Sequence, residues 1–371
     1  MGKEVIDELV AISKKARVFV SMPYIEGLTP RYLSDKERSP VYASEEIAER
    51  REGIFAMDEA TLSTLDHGGL YGDACFEGIL ITNGLIFVLK EHLVRWWESA
   101  RKLKIDMPYT LGDMAERVLK TVQEVGFADN ENGYLRPVIS RGFGNLGIHP
   151  KKCIAPTIYI ICSTIRLYPP EAYNTGIELS IARQTRRPGK SIIDPNIKSN
   201  NYLNNISALL ETMDKGRLET LMITAHGNVA EATADNLFLI EKGEGWENDP
   251  SKVVITTPDP TYSLVGITRL LIMQEARKLG YQVKESGNLL PIDFIGSDRE
   301  CFMTGTGCGL MPVVGIEGNL VGQGEPGPVT KNLLAAIRAL MADPGYGLGI
   351  GAGEKELREY MDRHCFYERK Y

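Results

Sequence analysis

The sequence predicts an α/β protein with two domains, and three observations support this prediction. The length of 371 residues suits about two domains, since a single domain commonly holds roughly 150 residues. Short apolar stretches typical of strands alternate with amphipathic stretches typical of helices. Pro169 and Pro170 interrupt this alternation, as in a connection between domains. The expected parts are an N-terminal extension over 1–45, a small α/β domain over 46–166, an interdomain loop over 167–175, a large domain over 176–345 and a C-terminal tail over 346–371.

A β-hairpin and two amphipathic helices define the expected small domain. The dipeptide Asn83-Gly84 between two apolar stretches is typical of a two-residue hairpin turn. Leu93, Ala100 and Leu103 recur at helical spacing and predict a helix that carries one apolar face. The elements expected in this half are helix 5–16, strands 79–82 and 85–89, helices 91–104 and 111–125, and strands 134–140 and 157–164.

The second half repeats the alternation with longer strands. The turn around Gly227 indicates a further hairpin, and the glycines of 345–353 suggest a mobile segment. The elements expected here are strand 176–184, helix 202–215, strand 301–303, helices 268–279 and 330–341, and a final helix over 354–364.

The composition is that of a globular protein and argues against several functions. Hydrophobic residues make up 43% and charged residues 25%, unlike a disordered chain. A net charge of -7 lacks the basic excess that nucleic-acid binding requires. The six cysteines form no C-x-x-C pair, so reduced, mostly buried thiols and no metal site are expected. No apolar run approaches the roughly 18 residues of a membrane span, so a soluble cytoplasmic protein is expected, with neither nucleic acid nor membrane as a partner.

Lys198 is the first candidate catalytic residue, and Glu231 follows it at a short distance along the chain. A nucleophilic lysine needs surroundings that favour its neutral form, and Lys198 taken alone would be interpreted as a solvated loop lysine. Glu231 supplies a carboxylate suited to a protonated pyridine nitrogen, although alone it is equally an exposed hairpin residue. An amine for an imine and a carboxylate for a ring nitrogen together indicate pyridoxal phosphate chemistry.

Two glycine-containing stretches and one arginine are candidates for binding the cofactor's phosphate. The stretch 264–269 opens a helix with Gly266 and Thr268, whose N–H and hydroxyl groups suit an anion. The stretch 304–309 alternates glycines with small residues and allows close backbone approach. Arg95 supplies positive charge. Each has an ordinary alternative: a helix cap, a glycine-rich turn and a surface arginine.

Three motifs give the chain its resemblance to a known family. They are Glu-x-small-x-x-Asn-Leu-Phe at 231–238, Ile-Thr-Thr at 255–257 and Leu-x-Gly-Ile-x-Arg at 264–269. The chain resembles the class IV aminotransferases, which are pyridoxal-phosphate enzymes of fold type IV. The resemblance implies two α/β domains with the cofactor at their interface, and a homodimer or higher homo-oligomer.

The resemblance also implies a role for each candidate residue. Lys198 would form the imine and act as the acid-base catalyst, Glu231 would pair with the ring nitrogen, and Tyr202 would donate to the phenolic oxygen. The residues implied to hold the phosphate are Arg95, Ile267, Thr268 and Thr306. The residues implied to bind the substrate are Tyr71, Phe76, Tyr134, Arg136, Thr306 and Gly307.

Further stretches are similar to the branched-chain members of this family. These are 71–78, 134–137 and 322–330, although Leu80 occupies a position where those members commonly have arginine. The resemblance implies transamination of branched-chain L-amino acids with 2-oxoglutarate by a ping-pong mechanism. Stretches 141–144 and 310–313 also resemble other branches. The alternatives are therefore a D-amino acid or amine transaminase, an aminodeoxychorismate lyase, and a pyridoxal-phosphate binding protein without turnover.

Overall fold

The computed structural model describes residues 2–25, 29–34, 49–128, 131–164 and 168–367, and these residues form two compact units. The first unit holds the described residues within 1–165, together with 197–201 and 341–371. The second unit holds those within 166–196 and 202–340. Residues 165–167, where we expected the small domain to end and the interdomain loop to begin, lie outside the described residues.

Helices and strands alternate along the chain as predicted. The helices within the described residues are α1 Gly2–Lys15, α2 Arg31–Ser34, α3 His67–Tyr71, α4 Leu89–Lys102, α5 Leu111–Val125, α6 Ala172–Thr175, α7 Leu203–Thr212, α8 Ile267–Lys278, α9 Pro328–Met341 and α10 Glu354–Asp362. The strands described are β1 Arg17–Pro23, β2 Arg50–Ala56, β3 Ala74–Phe76, β4 Ile79–Thr82, β5 Leu85–Phe87, β6 Gly133–Ser140, β7 Thr157–Ser163, β8 Ile177–Arg186, β9 Glu219–Ile223, β10 Val229–Ala232, β11 Asn236–Lys242, β12 Val253–Pro258, β13 Gln282–Ser286, β14 Arg299–Gly305, β15 Gly309–Ile316, β16 Asn319–Leu320 and β17 Gly347–Gly349. No helix in these ranges is long and apolar enough to cross a membrane.

The first unit is built on a sheet with the strand order β17-β5-β4-β6-β7-β1-β2, and β3 also pairs with β6. Helices α4 and α5 supply Leu93, Trp96 and Val118 to its buried core. Helix α5 has the predicted bounds because both ends are capped. The Thr110 side chain and Asp113 form a capping box, and Gly126 adopts the left-handed conformation after the last turn.

The predicted hairpin at Asn83-Gly84 is confirmed. Asn83 and Gly84 have φ angles of 51° and 71°, as a type I′ turn requires, and they join β4 to β5 in antiparallel pairing. Helix α4 follows β5 almost directly and begins at Leu89, two residues before the predicted start. The hairpin therefore sets the direction in which α4 leaves the sheet.

The two terminal segments differ from the prediction. The expected N-terminal extension over 1–45 contains β1, which lies between β7 and β2 within the sheet. The expected mobile segment contains β17, which pairs with β5, and Gly347 packs so closely that a Cβ atom would lie 2.8 Å from the Cβ of Leu85. Glycine has a low β-propensity, so a strand that contains several glycines is predicted from the sequence as a loop. Residues 1, 26–28 and 35–45 of the expected extension, and residues 46–48 of the expected small domain, lie outside the described residues.

The second unit is built on a sheet with the strand order β10-β9-β8-β15-β14-β11-β12-β13, and β16 pairs with β15. Strand β8 is parallel to both β9 and β15, and β12 is parallel to β13, whereas β11, β14 and β15 pair antiparallel. Leu179, Leu237 and Met303 from these strands lie in one buried cluster. This core fixes β10 and the β14–β15 turn, which carry Glu231, Thr306 and Gly307 among the candidate residues of this unit.

Candidate active site

Lys198 lies in a short segment of the first unit, although the residues on both sides of that segment belong to the second unit. Backbone hydrogen bonds hold the segment against β3. Phe76 N donates to Lys198 O at 2.9 Å, and Asn200 N donates to Ala74 O at 2.9 Å. Lys198 N also donates to Ser99 Oγ on α4 at 3.3 Å. Backbone hydrogen bonds therefore hold Lys198 as they hold a strand residue.

The ring of Phe76, a predicted substrate residue, lies close to both Lys198 and Arg136. Lys198 Nζ lies 4.7 Å from the centroid of the Phe76 ring, and the Arg136 guanidinium lies 4.4 Å from the same ring. The Arg136 guanidinium also lies 5.5 Å from the Tyr134 ring. Arg136 Nε is buried without a hydrogen-bond partner in the described part of the chain. The structure thus brings Phe76, Tyr134, Arg136 and Lys198 together as an apolar surface bordered by two cations.

Gly78 explains how Tyr134 fits into this group. A Cβ atom at Gly78 would lie 1.8 Å from Tyr134 Oη, so any larger residue would displace the phenol. The phenol of Tyr134 therefore occupies space that only a glycine at position 78 leaves open.

Tyr71, another predicted substrate residue, makes contacts of a different kind. It ends α3, is 39% exposed, and donates its hydroxyl hydrogen to the Leu146 carbonyl. Its ring packs edge-on against His67, with 5.0 Å between the ring centroids. These contacts tie Tyr71 to its own helix and to the loop that follows β6.

Arg95 is buried in an ion pair rather than exposed. Its Nε and Nη2 atoms donate to Glu77 Oε1 and Oε2, both at 2.7 Å, and the Arg95 side chain is only 3% exposed. His92, one turn earlier on α4, lies with Nδ1 at 2.7 Å from Glu77 Oε2. Burial opposes ionisation of Glu77, but Arg95 and His92 outweigh burial and lower its pKa to about 2. The surface interpretation of Arg95 is therefore wrong.

Glu231, in the second unit, is held by three donors. Arg187 Nη2 lies 2.6 Å from Oε1, and Leu264 N donates to Oε2 at 3.0 Å. Asn236 Nδ2 lies 3.5 Å from Oε2 and donates to Leu264 O at 2.8 Å. The Glu231 side chain is 7% exposed, so the exposed-hairpin interpretation is wrong. These three donors therefore fix the direction of the Glu231 carboxylate.

Arg187 was not singled out from the sequence. It follows β8, and its Nη1 donates to Asn205 Oδ1 at 3.2 Å, while Asn205 Nδ2 donates to Thr233 O at 2.6 Å. An arginine after a strand and before Pro188-Gly189 has no local feature that marks it. The sequence could have indicated such a partner only indirectly. If Glu231 is buried, its carboxylate requires a cation or several hydrogen-bond donors beside it.

The start of α8 has the features of an anion site. Gly266 is the N-cap and makes no side-chain cap hydrogen bond, and Ile267 and Thr268 in the first turn are buried. A Cβ atom at Gly266 would lie 2.1 Å from Asn236 Oδ1, so α8 begins directly against the residue that contacts Glu231. The first N–H groups of a helix attract anions, especially where no side chain satisfies them.

Thr306 and Gly307 lie in the turn between β14 and β15. This turn packs on Asp235, because a Cβ atom at Gly305 would lie 1.7 Å from Asp235 Oδ1, and Cys308 Sγ donates to the same oxygen at 3.4 Å. Asp235 follows Glu231 by four residues, so one short segment supports both groups. Tyr202 is the N-cap residue of α7 and is partly buried.

Glu219, beside this turn, is expected to make stability depend on pH. It is buried and accepts hydrogen bonds from Thr220 N and Thr233 N. Burial and the charge of Asp235 raise the pKa of Glu219 from 4.5 to about 7. The folded state therefore holds this proton more tightly than the unfolded state, so stability that is fully present below pH 4.5 is lost as pH rises through 7. The loss amounts to roughly 3 kcal/mol at about 1.4 kcal/mol per pH unit.

Chemical unfolding of the wild-type protein and of Glu219→Gln at pH 4.5 and pH 8 measures this effect. The amide keeps an oxygen acceptor and never ionises, so the variant should lose the pH-dependent fall. Equal falls in both proteins would assign the titration to another group.

The chemistry of these groups matches pyridoxal phosphate. The first unit offers a lysine and a buried arginine, and the second unit offers a held carboxylate and an uncapped helix start. Pyridoxal phosphate has an aldehyde that a lysine can bind, a phosphate suited to an arginine or to a helix start, and a ring nitrogen suited to a carboxylate.

Comparisons with known proteins agree with this chemistry. The family model "Amino-transferase class IV" matches residues 74–316. A putative branched-chain-amino-acid aminotransferase of Methanocaldococcus jannaschii is 37% identical over 277 residues, which cover 74% of this chain and 89% of that protein. A branched-chain-amino-acid aminotransferase of Pseudomonas aeruginosa is 30% identical over 79% of this chain and 94% of that protein. The crystal structure of a T.th. branched-chain amino acid aminotransferase with pyridoxamine 5'-phosphate has a TM-score of 0.71 and 28% identity, and covers 79% of this chain and 93% of that one.

The fold, the held groups and these likenesses define a pyridoxal-phosphate-dependent aminotransferase. The chain belongs to the class IV aminotransferase family. Its α/β fold is that of fold type IV, as the sequence predicted, and its substrates are amino acids and oxo acids.

Proposed function

We propose that this enzyme transaminates branched-chain L-amino acids with 2-oxoglutarate as the amino acceptor. The observation that carries the proposal is the group formed by Phe76, Tyr134, Arg136 and Lys198. An aliphatic side chain suits the Phe76 ring, and a carboxylate of the amino acceptor suits the Arg136 guanidinium, whose Nε has no partner in the described residues. The names of the relatives from Methanocaldococcus jannaschii and Pseudomonas aeruginosa support the same substrates.

The residues proposed to hold pyridoxal phosphate follow from the groups described above. When bound, the cofactor supplies an electron sink for the carbanion that an amino acid forms on losing its α-proton. We assign the covalent attachment to Lys198, the ring nitrogen to Glu231 and the phenolic oxygen to Tyr202. The phosphate is assigned to Arg95, Ile267, Thr268 and Thr306, and Thr306 and Gly307 are also assigned to the substrate.

Lys198 has two tasks in this proposal. With pyridoxal phosphate bound, the Lys198 amine would attach to the cofactor's aldehyde carbon, and once displaced by the substrate's amine it would carry the proton from the substrate's Cα to that carbon. The backbone hydrogen bonds to Phe76 N and Ser99 Oγ hold the residue's main chain throughout. The side chain can therefore move between the two tasks while its Cα stays fixed. The first oxo acid leaves before the second enters, which is a ping-pong mechanism.

Glu231 keeps the ring nitrogen protonated in this proposal. Arg187 and Leu264 N donate to the Glu231 carboxylate and fix its direction. A charged carboxylate stabilises a protonated nitrogen and so favours loss of the α-proton.

Leu80 bears on which acids are accepted. It is 8% exposed in β4, opposite Tyr134 in β6, at the position where the resemblance to branched-chain members implies arginine. With leucine there, we propose that Arg136 is the cation that recognises the second carboxylate of 2-oxoglutarate.

A stereochemical comparison tests the function. Purified enzyme loaded with pyridoxal phosphate is mixed separately with L-leucine and D-alanine while its visible absorption is followed. Bleaching with L-leucine alone, followed by recovery with 2-oxoglutarate, is expected. Bleaching with D-alanine alone would reassign the enzyme to D-amino acids. If neither amino acid reacts, pyruvate release from aminodeoxychorismate would indicate a lyase. If no assay shows a reaction, the enzyme would be an amine transaminase or a binding protein without turnover.

Assembly and location are separate parts of the proposal. We propose a homodimer, as expected for fold type IV enzymes, and a fully active monomer in sedimentation velocity would contradict it. The cytoplasmic location expected from the sequence stays a prediction, which cell fractionation would test. A role in branched-chain amino acid biosynthesis also stays a prediction.

A further inference from the structure

We infer that Glu77 and His92 are positioning residues that fix the Arg95 guanidinium for the phosphate of the cofactor. This inference rests on the part of the proposed function that assigns the phosphate to Arg95. It does not depend on which amino acid the enzyme accepts.

The geometry of the Arg95 side chain carries the inference. Nε and Nη2 donate to the two oxygens of Glu77, both at 2.7 Å, which is a two-bond fork contact. A guanidinium has five N–H donors in one plane, and this contact engages two of them along one edge. The plane and the direction of the opposite edge, which carries Nη1, are then fixed. Arg95 therefore has one orientation instead of the many that an arginine side chain samples in water.

His92 fixes the carboxylate in turn. A carboxylate can only accept, so His92 donates from Nδ1 to Glu77 Oε2 at 2.7 Å. Burial lowers the pKa of His92, although Glu77 acts in the opposite direction, so the ring is neutral near pH 7. His92 is thus a hydrogen-bond donor without charge. It therefore orients Glu77 without adding a positive charge beside Arg95.

The cost of burial indicates that this arrangement does more than stabilise the fold. Arg95 is 3% exposed and Glu77 is fully buried. Buried ion pairs are frequently no more stabilising than apolar residues of similar volume. Glu77 follows Phe76 directly in the sequence, and the Phe76 ring lies 4.7 Å from Lys198 Nζ. The Glu77–Arg95 ion pair is therefore anchored next to a residue that contacts Lys198. A fixed cation at this place suits the recognition of a phosphate on a cofactor that Lys198 attaches.

The test compares pyridoxal phosphate with pyridoxal, which has the same aldehyde and ring but no phosphate. The dissociation constant of each is measured by absorbance titration of the cofactor-depleted full chain. Glu77→Gln should raise the constant for pyridoxal phosphate by about tenfold to a hundredfold, the range typical when an outer partner of a binding group is lost. The constant for pyridoxal should stay within about twofold. If only charge mattered, Glu77→Gln would lower the dissociation constant for pyridoxal phosphate, because removing a carboxylate should tighten binding of an anion.

The chain contains a matched control. Glu52 and Arg117 in the same unit form a similar two-bond pair, with Nη2 to Oε1 at 2.7 Å and Nε to Oε2 at 3.2 Å. Glu52 has no proposed role in binding the cofactor. Glu52→Gln should leave the ratio of the two dissociation constants unchanged, even if it lowers thermal stability.

If Glu77→Gln fails to fold, Glu77→Asp is the second variant, because it keeps the charge but is too short for the two-bond contact with Arg95, and the same loss specific to pyridoxal phosphate is expected. Arg95→Lys tests the other partner of this contact. Lysine keeps the charge but cannot make the two-bond contact with Glu77. A loss specific to pyridoxal phosphate supports the inference, and in the double variant the losses should be less than additive because both act on one contact. Equal weakening of both ligands, or tighter binding of pyridoxal phosphate by Glu77→Gln, would overturn it.

The design separates this inference from the proposed function. The measured quantity is the affinity for the cofactor. The inference therefore stands even if the enzyme reacts with D-alanine, or with none of the substrates tested. If Arg95→Lys and Arg95→Ala both leave the ratio of constants unchanged, the assignment of Arg95 to the phosphate fails and the inference fails with it. If the Arg95 variants lower the affinity specifically but Glu77→Gln does not, only the positioning role is wrong.

Discussion

Lys198→Ala is expected to abolish aminotransferase activity, with a loss on the order of 10⁴-fold or more in kcat, because it removes both the covalent anchor and the acid-base catalyst. The backbone bonds that hold the segment, from Phe76 N, Asn200 N and Lys198 N, involve no lysine side-chain atom. The variant should therefore fold normally. Borohydride reduction followed by mass spectrometry should find pyridoxal phosphate fixed to the wild-type peptide and absent from the variant.

Lys190→Ala is the matched control, because Lys190 is an exposed lysine earlier in the chain. It should retain full activity and the borohydride-fixed cofactor. A fixed cofactor that persists in Lys198→Ala would place the covalent attachment on another lysine. Normal turnover in that variant would remove Lys198 from the mechanism.

Glu231→Gln is expected to lower kcat by about 10²-fold to 10³-fold, the range typical for loss of one preorganised electrostatic partner. Glutamine keeps the shape and an oxygen for Leu264 N, but it cannot stabilise a protonated ring nitrogen. Arg187 would also lose its charge partner while remaining largely buried, at 13% side-chain exposure. We therefore expect a lower free energy of unfolding together with slow turnover, measured by denaturant unfolding and steady-state kinetics.

Glu300→Gln separates these two effects. Glu300 is another buried carboxylate of the second unit, and it accepts hydrogen bonds from Lys242 Nζ and from Thr330 N at the start of α9. Its replacement should lower stability without changing kcat. If Glu231→Gln turns over as fast as the wild type, the electron-sink role of Glu231 is wrong. If both variants lose kcat in proportion to stability, the effect of Glu231 is structural.

Local patterns predicted the elements whose causes are local. The hairpin at Asn83-Gly84 and helix α5 depend on turn and capping residues that stand next to each other in sequence. Strand β1 was missed, because six of its seven residues are buried and it shows no alternation between apolar and polar positions. Burial of this kind is decided by the neighbouring strands β7 and β2, which come from distant parts of the chain.

The site was predictable to the extent that its residues lie in motifs. Lys198, Phe76, Tyr134 and Arg136 were chosen from separate stretches, and the structure groups them around the Phe76 ring. Their partners were not predictable in the same way. Arg187 and Glu77 are identified by what they contact, and a contact between residues far apart in sequence leaves no mark on the residues beside either one.

The placement of β1 and β17 has a consequence for synthesis on the ribosome. The first unit takes β1 from near the beginning of the chain and β17 and α10 from near its end, so its sheet cannot be completed until those last elements have left the exit tunnel. The second unit ends at residue 340 and has all its strands available before then. The sheet of the second unit can therefore be completed before the sheet of the first unit, although the first unit is translated first. Until β17 is available, β5 remains an unpaired edge of the first sheet.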